Sequence, residues 1–199
     1  MARPRVHDEN LRARLLGHAG RLVTENGMAA LSLRTLAADA GTSTTAVYSL
    51  FGGKSELLGA LFEESFHSFG AAQRAVPVTG DVIVDLLALG HAYWTWAQEH
   101  PHLYGVMFSQ VLADFARTPE QLAASATTIE PLAGAVAAGV RSGVLVGDPF
   151  AITFAIWAAV HGVVSLAMAG CLPGDMIIDE GLFTATAAAT VRGFRAGPA

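Results

Sequence analysis

Leu33-Arg34-Thr35-Leu36-Ala37-Ala38-Asp39-Ala40-Gly41-Thr42-Ser43-Thr44-Thr45-Ala46-Val47-Tyr48-Ser49-Leu50-Phe51 is the run whose reading decides the fold. Leu33, Leu36, Ala37 and Ala40 recur at i, i+3, i+4 and i+7, one face of a helix, and Ser32 stands where a side-chain cap would start it. Gly41-Thr42-Ser43 predicts a three-residue turn. A second short helix is expected over about 44–51, burying Val47, Leu50 and Phe51 and turning Thr44, Thr45 and Tyr48 outward. Two short helices joined by a Gly-containing turn form the geometry that lays the second helix in a DNA major groove. The outward residues are small or hydroxyl-bearing, with one Tyr, as close approach to phosphates and base edges requires. Arg34 and Lys54 lie near helix starts, where backbone N–H groups also favour phosphate. Arg3 and Arg5 are expected to form a short basic arm. An ordinary corner of two helices with a solvated, threonine-rich surface has the same periodicity, so spacing alone leaves both readings open.

Charge is distributed to match the first reading. The chain of 199 residues has a net charge of −5, which by itself speaks against nucleic acid. Residues 1–54, however, hold seven Lys and Arg against four acids, and the remainder holds five against thirteen. A basic N-terminal quarter on an acidic body suggests a local site for a polyanion. A hydrophobic content of 52% argues against disorder and supplies a sizeable core. One cysteine, Cys171, excludes an internal disulfide framework and is expected to be inert. The N-terminus carries no apolar run of the signal-peptide kind, so a cytoplasmic protein is expected.

Helical spacing continues nearly everywhere. Leu11, Leu15, Ala19 and Leu22 predict one face of a helix over 8–26, stopped at Gly27. Further helices are expected from Ser55 to about Arg74, at 80–99, at 101–112 and from Pro119 to about Arg141, the last kinked or divided at Pro131. Asp148-Pro149 reads as a helix start with Pro in the first position, opening a helix to about Gly170, and a final helix is expected over 177–195. No segment alternates as a strand does.

The run from Leu33 to Phe51, extended through Gly52-Gly53-Lys54-Ser55-Glu56-Leu57-Leu58, resembles the N-terminal domain of TetR-family transcriptional regulators. The A-x-x-A-G-x-S turn, the Tyr48-x-x-Phe51 pair and the Lys54-x-x-Leu57 helix start carry the resemblance, which covers about residues 8–62. Thr42 stands where Val is common in that pattern, Thr45 where Gly is common, and Leu50 where an aromatic or His is common. The resemblance implies that Thr44, Thr45 and Tyr48 face DNA and that Lys54 and Thr35 meet its backbone; Arg34 and Ser43 complete the expected DNA-binding set. It also implies a homodimer paired through helices at about 149–170 and 177–195. Trp157-Ala158-Ala159-Val160-His161-Gly162 further resembles the W-x-x-x-H-G signature of one C-terminal subclass, with His100-Pro101-His102-Leu103-Tyr104 through Met107-Phe108 as its upstream counterpart.

The body offers several competing uses. Residues 150–172 contain no formal charge over 23 positions, long enough to cross a bilayer. Phe150, Phe154, Trp157, His161 and Met168 form a bulky stripe, and Ala151, Ala155, Ala158, Gly162 and Ala169 a small one, which suits a helix set between its own core and a partner. His91, Trp94, Tyr104, Met107, Phe108, Phe115, Trp157 and His161 are candidates to line a pocket for a small, largely apolar effector. Aromatic stripes at helical spacing describe packing equally well. Gly52-Gly53-Lys54-Ser55 has the tail of a phosphate-binding loop, but position 48 is Tyr where Gly is needed and no strand precedes it. The close pair His100 and His102 lacks the i, i+4 spacing of helical metal ligands. No cofactor, no metal and no enzymatic activity are expected.

The sequence therefore predicts an all-α protein. A three-helix DNA-binding head over 1–54 precedes a helical-bundle domain for ligand binding and dimerisation over 55–199. The expected function is a ligand-responsive repressor binding a pseudo-palindromic double-stranded operator as a homodimer, with no membrane association. A helical ligand-binding protein without sequence-specific DNA binding is the alternative.

Overall fold

The computed structural model describes residues 5–108, 115–170 and 177–197; side chains are described from residue 9 onward. Ten α-helices are described: α1 (Arg5–Asn26), α2 (Leu33–Asp39), α3 (Thr44–Phe51), α4 (Lys54–Arg74), α5 (Val82–Glu99), α6 (Pro101–Phe108), α7 (Pro119–Ala126), α8 (Glu130–Arg141), α9 (Pro149–Ala169) and α10 (Glu180–Gly193). Among the described residues no strand occurs, only an isolated antiparallel bridge between Leu145 and Arg195. Cys171 and Arg3 lie outside the described residues. Arg5 belongs to α1 rather than to a free arm.

Helix starts follow local chemistry. The Oγ of Ser32 accepts from the Thr35 amide at 3.0 Å and that of Ser43 from the Ala46 amide at 3.1 Å. Asp148 caps α9 through the Ala151 amide at 2.9 Å, with Pro149 opening the helix. Asp179 caps α10 through the Leu182 amide, also at 2.9 Å. Each such bond satisfies one of the amides that a helix start leaves without a partner. Pro131 divides the helical stretch after Pro119 as expected: α7 ends at Ala126, a 3₁₀ turn covers Thr127–Ile129, and Pro131 sits in the first turn of α8. There its missing N–H costs no hydrogen bond.

Packing divides the chain into two compact units: residues up to Ser68 with His100–Ser125, and Phe69–Glu99 with the chain from Ala126 on. In the first, α1 packs on α2, α3 and α6. Its buried face is Leu11, Leu15, Ala19 and Val23, with Leu16 beside it. Val23 replaces the expected Leu22 because a strict four-residue step keeps the stripe facing α2 and α6, while Leu22 turns half outward. Leu31, Leu36, Val47, Leu57 and Leu61 complete this core.

In the second unit α5 is central, packed on α8, α9 and α10. Leu86, Tyr93, Trp94 and Trp96 of α5, Ile152, Ile156, Val160 and Val164 of α9 and Phe183, Ala187 and Val191 of α10 are buried in its core, Trp94 against Phe183 and Trp96 against Phe69. Gly139 of α8 is required here: a Cβ would lie 2.7 Å from both Leu145 and Val82. The buried stripe of α9 is neither stripe expected from sequence. It is the β-branched 152–156–160–164 row, and Phe150 and Phe154 remain 79% and 56% exposed. With no charged residue and only Thr153, His161 and Ser165 as polar ones, apolar spacing alone does not assign the inner side.

Candidate nucleic-acid interface

The head is built from α1, α2 and α3. Leu33, Leu36, Ala37 and Ala40 are buried, as are Val47 and Phe51. Leu50, expected to be buried, is half-buried, because it sits at the edge of the face that Val47 and Phe51 centre. Gly41 takes φ +64° in the turn between α2 and α3, a left-handed conformation that a Cβ disfavours. The Thr42 amide then bonds the Ala37 carbonyl at 2.8 Å, closing α2 as the chain reverses. These contacts fix α3 against α2 and leave one side of α3 uncovered.

On that side Thr45 and Ser49 are exposed, Tyr48 is 54% exposed and Thr44 is half-buried. Arg34 and Thr35 are exposed on α2. Two of the expected DNA-facing hydroxyls already have local tasks. The Oγ of Ser43 caps α3, and Thr35 Oγ1 shares a 2.7 Å hydrogen bond with Ser32 Oγ. Lys54 is exposed at the start of α4, where Nζ donates to the Met28 carbonyl at 3.1 Å. That contact uses one of three N–H groups and ties α4 to the loop after α1. Arg12 lies over the Phe51 ring at 5.7 Å and 3.8 Å from Glu64, so it braces the back of α3. Sequence reasoning missed this residue, whose partner Glu64 is far along the chain.

The eight pocket candidates fall into the two units. In the first, Tyr104 and Met107 are buried, Tyr104 packs on Phe108 at 4.9 Å, and Phe115 lies 6.5 Å from Phe62. In the second, Trp94 is buried against Phe183 at 4.9 Å, while His91, three residues earlier, is exposed and 3.0 Å from Glu180. His91 and Trp94 thus meet successive turns of α10, one at the surface and one buried. Trp157 and His161 are, with ring centroids 5.8 Å apart. His161 Nδ1 lies 3.1 Å from the Tyr93 hydroxyl and Nε2 3.3 Å from Ser165 Oγ. Burial lowers the His161 pKa, favouring the neutral ring. His102, in the first unit, is also lowered, first by burial and then by the charges of Arg21 and His100.

Trp157 borders a cavity of about 20 Å³, room for one water molecule. A second cavity, of about 470 Å³, shares Gln73 and Leu89 with the first and has Val82, Pro131, Gly134 and Ala138 among its other walls. None of these residues was expected at a site. They come from the end of α4, the start of α5 and from α8, and no local motif marks them.

Comparison with known proteins identifies the head and the body alike. Residues 15–61 match the model of bacterial regulatory proteins of the tetR family, and residues 86–192, more than half of the chain, match the tetracyclin repressor-like C-terminal domain. The HTH-type transcriptional regulator Mb1846 of Mycobacterium bovis is 24% identical over 87% of each chain. Among solved structures, the TetR-family regulator PfmR of Thermus thermophilus has a TM-score of 0.72 at 24% identity, covering 90% of this chain and 97% of its own. A TetR-family regulator of Marinobacter aquaeolei reaches a TM-score of 0.78 at 22% identity, covering 96% and 99%. The buried α2–α3 pair, its uncovered hydroxyl-rich face and both family matches agree, and the chain belongs to the tetR family of DNA-binding bacterial transcriptional regulators.

Proposed function

We propose that this regulator is a repressor released from DNA by a small, largely apolar effector. It acts in the cytoplasm as a homodimer on a pseudo-palindromic operator. Residues 1–54 read DNA, through Thr44, Thr45 and Tyr48 at base edges and phosphates and Arg34, Thr35, Ser43 and Lys54 on the backbone. Residues 55–199 bind the effector and dimerise. The observation that carries the reading is α3 itself: a helix held on two capped turns, whose free face is made of hydroxyls, one Tyr and little bulk.

The dimer reading rests on α9 and α10. Phe150, Phe154, Leu166 and Leu182 are exposed on helices that pack on each other, an apolar surface that a second copy would cover. α9 is also long and apolar enough to cross a membrane. Family membership supports the dimer reading over a span. A two-fold dimer places its two α3 helices about 34 Å apart, one turn of DNA, or a multiple of that. Release requires an effector that binds the non-reading conformation more tightly, by about 1–3 kcal/mol or more.

The test is selection from a random double-stranded DNA library with purified protein at moderate salt. Enrichment of an inverted repeat, with affinity falling steeply as salt rises, is the expected result. A folded dimer that enriches nothing would overturn the sequence-specific reading.

A further inference from the structure

The cavity of about 470 Å³ has a property that its size alone does not give. Gln73, on its wall, is 5% exposed, and its Nε2 donates to the Leu89 carbonyl at 3.4 Å. A carbonyl only accepts, so the amide nitrogen must face Leu89 and Oε1 must point away. Among the described residues no donor reaches Oε1, and no fully enclosed side-chain polar atom lacks a partner. With no donor among the described residues, Oε1 is left to the space beside Gln73, which borders both this cavity and the one of about 20 Å³ at Trp157.

The rest of the wall is mostly apolar: Val76, Pro77, Val82, Leu89, Pro131 and Ala138. Its buried carboxylate, Asp85, is already occupied. It accepts from the Thr79 amide at 2.8 Å, the Thr79 hydroxyl at 2.6 Å and the Gly80 amide at 3.3 Å, holding the loop after α4 that forms one rim. These donors, the Thr79 hydroxyl first, lower its pKa and keep it ionised. Arg74 and Glu130 are exposed at the mouth, one of each sign, and select no charge.

We propose that this cavity is the effector site and that it takes an uncharged, apolar molecule carrying one O–H or N–H group, which donates to Gln73 Oε1. The proposal rests on the effector-released reading above and gives it walls that include none of the expected His91, Trp94 and Trp157, next to the smaller cavity that Trp157 borders. A volume of this size suits a small-molecule ligand. A ligand that fills it must replace any water bonded to Gln73, and only a donor does so without loss.

The test uses the full chain and N-phenyl-1-naphthylamine, an uncharged apolar fluorophore with a single N–H. Gly134 is exposed on the cavity wall and a Cβ there meets nothing within 4 Å, so Gly134→Phe adds bulk beside the cavity with no clash at Cβ. Saturable binding to the unmodified protein is expected, lost in Gly134→Phe, kept in Gly134→Ala and weakened about tenfold in Gln73→Leu. Thermal melts confirm that each variant is folded. Failure of the probe to bind, or unchanged binding to Gly134→Phe, overturns the site; unchanged binding to Gln73→Leu overturns the donor requirement. Operator binding followed in the same titration separates the two readings. Probe that occupies the cavity without releasing operator supports the site and removes the effector role. Release that persists in Gly134→Phe keeps the effector role and overturns this location.

Discussion

α3 and α9 both present an uncovered face, and the two faces were not equally readable. On α3 the inner residues, Val47 and Phe51, are apolar and the outer ones, Thr45, Tyr48 and Ser49, carry hydroxyls. Solvent preference separates the sides, so sequence spacing assigns them. On α9 both sides are apolar: Ile152, Ile156, Val160 and Val164 inside, Phe150, Phe154 and Leu166 outside. Burial of either side gains comparable free energy, roughly 25 cal/mol for each Å² of apolar surface removed from water. The choice falls to shape. β-branched side chains have restricted rotamers and form an even ridge, while Phe150 and Phe154 are left for another surface.

The comparison is sharpest within α9. Ile156→Ala is expected to cost about 2–5 kcal/mol, through lost burial and the cavity left behind, read by chemical denaturation. Phe154→Asp, two residues away on the open face, is expected to leave each subunit folded and to weaken dimerisation at least thirtyfold, about 2 kcal/mol, in sedimentation velocity across a concentration series. Equal effects in the two assays would erase the distinction between the faces.

For α3 the corresponding break is Tyr48→Ala with Lys54→Ala. Both side chains are exposed and only the exposed Lys54–Met28 hydrogen bond is lost, so the double variant should stay folded and melt within a few degrees of the parent while operator affinity falls about a hundredfold or more, measured by fluorescence anisotropy. Unchanged affinity would leave the uncovered face of α3 merely solvated.

A smaller effect is expected from Ser43→Ala. Its Oγ accepts the Ala46 amide, and loss of such a cap costs about 1 kcal/mol. The melting temperature should drop by several degrees. Retained stability would mean that packing of Val47 and Phe51, rather than the cap, sets the start of α3.

The least effect concerns pH. The folded pKa of His161 is lowered by burial, so the unfolded chain takes up the proton first as pH falls. Its contribution to stability is full above the ordinary value of 6.5 and is lost as pH drops from there toward the folded pKa. His161→Asn should flatten part of that loss in melts between pH 7.5 and 5, leaving the part due to His102, which is lowered in the same sense. An unchanged slope would show that the ring titrates freely.

Much of the fold was legible because its signals are local. Ser32 and Asp148-Pro149 mark helix starts within three residues of the amides they serve, and Pro131 fits a helix only in its first turn, where it stands in α8. The candidate interface was legible for the same reason, since α2, its turn and α3 occupy consecutive positions. The finer assignments failed where neighbours distant in sequence decide. Val23 displaced Leu22 through the packing of α1, and Arg12 found Phe51 and Glu64 at long separation. Gln73 became a candidate ligand contact only because Leu89 holds its nitrogen and α8 stands across a gap.

The sequence by itself determined most of the helices, the starts at Ser32 and Asp148 and the helix-turn-helix, because capping, proline geometry and polar-apolar alternation act over one or two turns. Tertiary structure alone decided which apolar row of α9 turns inward, which histidines become half-buried, and where the second unit leaves a cavity. Those outcomes depend on how side chains from separate helices fill or fail to fill a shared volume, and that volume exists only after the chain has folded.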